Sequence, residues 1–136
     1  MLREEFDAGE ELARELAKVL PIKTVFWLKA KDEENPFIYL YFALDSNDDV
    51  SISNGYRAVT QATMRIPSPF LDPFRVKMIL ADDPLAREAI EWQQRFPTTK
   101  ATRLRGQLFG GLFVDRVHLY PPLLDQTQLA AVESKS

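Results

Sequence analysis

No cysteine occurs among the 136 residues of this chain, and His118 is its only histidine. The first absence excludes structural disulfides, thiol nucleophiles and cysteine-ligated zinc or iron–sulfur sites. The second excludes any site built on two imidazole ligands. Glycine is sparse, at five residues. There is no serine-nucleophile elbow, phosphate-binding glycine loop or zinc-protease helix. No apolar run approaches the roughly 20 residues of a membrane span. The first residues are acidic and periodic, unlike the basic and then apolar order of a secretory leader. The expectation is a cytoplasmic protein with no cofactor, no bound metal and no membrane partner.

What is present suits one globular domain. Apolar residues make up 46% and charged residues 27%, an ordinary soluble composition. A chain of this length can bury roughly two thirds of its unfolded surface. Charge is spread unevenly around the net −3. Residues 1–50 hold 6 Lys/Arg and 12 Asp/Glu, a balance of −6, and residues 51–136 hold 11 and 8, a balance of +3. The negative total disfavours general nucleic-acid binding. The bipolar layout lets the two parts neutralise each other within one fold or between subunits.

Periodicity predicts a helix over Arg3–Leu20, with Leu2, Phe6, Leu12, Leu16, Val19 and Leu20 as its apolar stripe. Lys23–Lys31 and Phe37–Asp45 read as two strands of a hairpin, rich in aromatic and β-branched residues. Asp45–Val50 is a turn cluster. Ser53–Ile66 reads as a helix capped by Ser53, or else as a long strand; the helix is preferred because the strand would be unusually long. Phe74–Ala81 alternates as a strand, and Asp82-Asp83-Pro84 starts a helix running to about Arg95. Two further strands meet at Gly110-Gly111. Residues 1–120 form the expected domain and 121–136 a partly disordered C-terminal tail. The order α-β-β-α-β-α-β-β implies an α+β fold: a largely antiparallel sheet of about five strands with helices packed on it.

The elements VFWLKAKDEENPFIYLYFALD, GYRAV, DPFRVKMILADDPLA and GQLFGGLFVDRVHLYPP span most of residues 25–122. In pattern they resemble small uncharacterised bacterial proteins of similar length, a resemblance that implies no activity and no functional residue. ILADDPLAREAI is similar to the opening of a phosphoacceptor receiver domain. A receiver needs further alternating strand–helix units, whereas here about fifty residues follow and form a hairpin.

A two-residue turn at Gly110-Gly111 pairs Arg105 with Arg116 and Arg103 with His118, and leaves Leu104, Leu108, Phe113, Val117 and Leu119 as the core face. Arg103, Arg105, Arg116 and His118 are therefore candidate anion-binding residues, since guanidinium forks suit carboxylate and phosphate oxygens. The plainer alternative is neutralisation by the chain's own acidic segment. In this register Asp115 points to the opposite face, so His118 lacks an orienting acid and reads as a surface histidine. Trp27, Tyr39 and Tyr41 are candidates for an interface or a ligand-stacking platform. Asp45, Asp48, Asp49, Asp82 and Asp83 could hold Mg²⁺ for phosphoryl chemistry, but such residues are also the usual ones of turns and caps. The expectation is an interaction or adaptor-type protein, a homo-oligomer with a possible protein partner. The alternatives are a metal-dependent phosphoryl hydrolase or nuclease, and a small-ligand binder.

Overall fold

A computed structural model describes residues 2–32, 34–46, 48–66, 68–96 and 100–121. The elements are α1 (Arg3–Ala17), β1 (Ile22–Ala30), β2 (Tyr39–Leu44), α2 (Asp49–Arg65), a 3₁₀ turn at Pro73–Arg75, β3 (Val76–Leu80), α3 (Pro84–Arg95), β4 (Thr102–Phe109) and β5 (Leu112–Leu119). This is the expected α+β order. Of the expected tail, 121–136, all but Pro121 lies outside the described residues.

The five strands form one mixed, mostly antiparallel sheet in the order β3-β2-β1-β5-β4. β1 pairs antiparallel with β2 and β5, and β5 with β4. Only β2 and β3 run parallel, because α2 crosses between them and parallel neighbours require such a crossover. β3 is an edge, and Tyr56 Oη accepts a hydrogen bond from the Met78 backbone N–H at 3.1 Å, so part of that edge is occupied.

The Ser53–Ile66 segment is helical as far as Arg65, but α2 starts earlier than Ser53. Asp48 is the N-cap and accepts from Ser51 N at 2.9 Å. The buried line of α2 is Gly55, Val59 and Ala62, with Ile52 packed alongside, a spacing of three and four residues that small side chains disguise in the sequence. α3 starts as expected, with Asp83 accepting from Leu85 N and Pro84 in the first turn. In α1 the buried residues are Ala8, Gly9, Leu12, Ala13 and Leu16, whereas Leu2 and Val19 are exposed.

The helices cover the sheet unevenly. α1 and α2 pack on one face over β1, β2 and β3, around Leu12, Leu16, Trp27, Phe42, Val59 and Met78. α3 packs on the opposite face over β1, β5 and β4, around Phe26, Ala89, Phe109, Val114 and Val117. β1 is thus the strand buried on both sides, from Thr24 to Leu28. Among the described residues each face keeps one partly uncovered half: β4–β5 on the α1 side, where Arg103 and Arg105 are exposed although His118 is buried, and β2–β3 on the α3 side, where Lys77 is exposed although Ala43 is buried.

Candidate functional site

The Gly110-Gly111 turn has φ of 59° and 83°, as a two-residue type I′ hairpin requires. The observed pairs include Arg105 with Arg116, Arg103 with His118, and Leu108 with Phe113. The register matches the sequence reading, but the assignment of faces holds only for half of the hairpin. Leu104, Val117 and Leu119 are buried against α3, whereas Leu108 and Phe113 are 53% and 64% exposed and Phe109 and Val114 are fully buried. Two local features cause the change. Gly106 takes φ of 55° in mid-strand, a left-handed geometry that favours glycine. Across from it, the pairing of β1 with β5 shifts between Lys29 and Ala30, leaving Asp115 as the extra residue of a bulge. Strict alternation cannot anticipate a bulge, although a glycine inside a strand pattern is a signal for one.

The bulge also moves Asp115. Alternation places it away from the basic face, yet its carboxylate meets Lys29 Nζ at 3.1 Å. That hydrogen bond, and the charge of Lys29, hold the carboxyl below its ordinary pKa. Lys29 stands directly across from Arg116, and Arg116 across from Arg105. Three cations therefore form a row over β1, β5 and β4, with neighbouring strands about 4.8 Å apart. Arg103 lies two residues along β4, on the same face. Arg103 and Arg105 are exposed and Arg116 is half-buried. None of the three has a carboxylate partner among the described residues. Three acids of the N-terminal segment pair instead with its own cations, Asp7 with Arg3, Glu10 with Arg14 and Glu15 with Lys18.

His118 is not a surface residue. It is 7% exposed, near Phe6 of α1 at 6.4 Å between ring centroids. Its Nδ1 has no hydrogen-bond partner. Burial, and then the neighbouring Arg103, push its pKa down to about 4, with Arg116 and Arg105 acting in the same direction. At neutral pH it is uncharged, so the cationic character of this face comes from the arginines and Lys29.

Trp27, Tyr39 and Tyr41 do not form one platform. Trp27 is buried under α1 and donates from Nε1 to Tyr120 Oη at 2.9 Å. Tyr120 in turn donates to the Phe6 carbonyl, and burial raises the pKa of its hydroxyl. Tyr41 lies on the opposite face of the sheet, stacked on Phe26 at 5.2 Å. Tyr39 shares that face and lies under the Lys77 ammonium at 4.7 Å. Adjacent residues of a strand point to opposite faces, which is why Trp27 parts from the ring stacked on its neighbour Phe26.

The turn carboxylates are local. Asp48 and Asp83 cap α2 and α3. Among the described residues no three His, Cys, Asp or Glu side chains gather as a metal set. Asp45 and Asp82 follow β2 and β3, two to four strand positions from the arginines of β5 and β4, about 10–19 Å sideways, and they lie farther along the sheet as well, since Arg103 is level with Leu40. No described helix is long and apolar enough to cross a membrane.

No family model, curated protein or solved structure matches this chain.

Proposed function

We propose that this chain is an interaction protein whose contact surface is the uncovered half-face of β4 and β5, and that its partner presents anionic groups. The observation that carries this reading is the cluster of Arg103, Arg105 and Arg116 beside Lys29 on a part of the sheet face that no described helix covers, with Asp115 and, beside Arg103, Asp7 as the nearby acids. Guanidinium groups without internal partners favour carboxylate or phosphate oxygens. The neighbouring Leu108 and Phe113 add exposed apolar area, the mixture expected of a contact patch rather than of a solvated surface.

A fluorescence-anisotropy titration tests the reading, using a labelled polyglutamate peptide and a labelled single-stranded oligonucleotide at a dilution where the chain is monomeric. At least one probe should bind at low salt. Arg103→Ala/Arg105→Ala should weaken that binding and, for the oligonucleotide, lower the salt slope by roughly one per cation removed. Binding to neither probe, or binding indifferent to the substitution, sinks the proposal.

A further inference from the structure

The uncovered half-face has a shape as well as a charge. α1 stands beside it, roughly one helix diameter of 10 Å above the sheet. The surface is therefore a step: a ridge formed by α1, then a recess over β5 and β4. At the foot of the step is a hollow of about 500 Å³, lined by Leu2, Arg3, Phe6, Asp7, Arg103 and His118. The ridge is acidic. Within Arg3–Ala17 there are two arginines and six Asp/Glu, a balance of −4. Glu4, Glu5 and Glu11 have no ion pair among the described residues. The recess is basic. An acidic ridge one helix thick and a basic recess of the same depth lie side by side on one molecule.

We propose that the half-face is occupied by a second copy of this chain, which lays its α1 in the recess of the first while its own recess receives the first copy's α1. This rests on reading the half-face as an interaction surface, and it names the partner. A two-fold axis along the foot of the step exchanges ridge and recess, so the contact forms twice and closes as an isologous dimer. The levels along the sheet agree. α1 ends beside the start of β1, and Phe6 lies near His118. Its first turn therefore extends toward the level of Arg105 and Arg116, which brings Glu4 of each copy to the arginine rows of the other. Leu2, 61% exposed, leads the helix toward Leu108 and Phe113. Tyr39 and Tyr41, on the opposite face, take no part.

Sedimentation and light scattering of the full chain test this. The expected mass at low salt is twice the 15.6 kDa of one chain, falling toward the monomer as salt screens the contact. Arg103→Glu/Arg105→Glu should be monomeric, and so should Glu4→Arg/Glu11→Arg. All four positions are exposed, and unchanged circular dichroism and thermal midpoints should show that both variants fold. Mixing the two monomeric variants should restore a one-to-one dimer, because each then offers the charge the other lacks. A wild type that stays monomeric up to millimolar concentration overturns the dimer, as does either variant remaining dimeric or a mixture that stays monomeric. The probe titration keeps the two ideas apart. A monomeric wild type that loses probe binding in Arg103→Glu/Arg105→Glu removes the dimer and leaves the interaction surface standing.

Discussion

Lowering the pH from 7 to 5 should destabilise this fold through His118. The imidazole is held at a pKa of about 4 in the folded chain, against about 6.5 in an unfolded one. Because the folded value is depressed, the unfolded chain takes up the proton first. Stability is therefore complete above the unfolded pKa and falls as the pH drops toward the folded one. Linkage over these two values gives a loss of about 2 kcal/mol between pH 7 and pH 5, and about 3 kcal/mol once both forms are titrated. Domains are typically stable by about 5–15 kcal/mol, so the effect is measurable: the urea midpoint should drop by about 1 M. Asp115 and Glu15, whose pKa values Lys29 and Lys18 hold down, respond only below this window. His118→Gln should flatten the pH dependence while leaving the remaining acid unfolding in place. An NMR titration of the imidazole protons with a midpoint near 6.5, or equal urea midpoints at the two pH values, would refute the reasoning.

The Trp27–Tyr120–Phe6 chain of hydrogen bonds ties β1 and the end of β5 to α1. Tyr120→Phe leaves a buried indole N–H without its acceptor and should cost about 1–3 kcal/mol, read as a lower urea midpoint. Gly9 is the point of closest approach: an added Cβ would lie 2.5 Å from Tyr120 Oη and 3.0 Å from Trp27. Gly9→Ala should therefore destabilise by about 1–3 kcal/mol through overpacking, despite a helix-propensity gain of about 1 kcal/mol, with a matching change in Trp27 fluorescence; a stabilised variant would show that α1 is not seated on Trp27. At Gly106 space is open and only the backbone is at stake. Gly106→Ala should cost about 1–2 kcal/mol of left-handed strain, and an unchanged thermal midpoint would mean that the strand does not need that geometry.

The sequence was most legible where a local rule dominates. Asp83-Pro84 and Gly110-Gly111 each state their geometry in two residues, and the start of α3 and the register of β4 with β5 follow from them. It was least legible where a single residue resets a pattern or where the burying residue is small. The bulge at Asp115 and the positive φ of Gly106 reverse the faces of Leu108 and Phe113. Gly55 and Ala62 carry the buried line of α2 without looking hydrophobic. At the candidate site the arginine cluster could be read from register alone. The burial of His118 could not, because it depends on Phe6, more than a hundred residues away and on another element. Nor could the separation of Trp27 from Tyr41, which follows from how β1 pairs with β2.

The double covering of β1 has a consequence during synthesis. One edge of this strand meets β2 at once, but the other waits for β5, and Trp27 waits for a tyrosine 93 residues downstream. At about 5–20 residues per second on the ribosome, that delay lasts roughly 5–20 s. Throughout it, Val25 to Leu28 present an apolar strand edge with no native partner, the kind of edge that recruits other chains. A nascent chain stopped before β4 should therefore associate with itself or be held by chaperones, and the fold can close only once the basic hairpin, the last of the described elements to be made, slides in against β1.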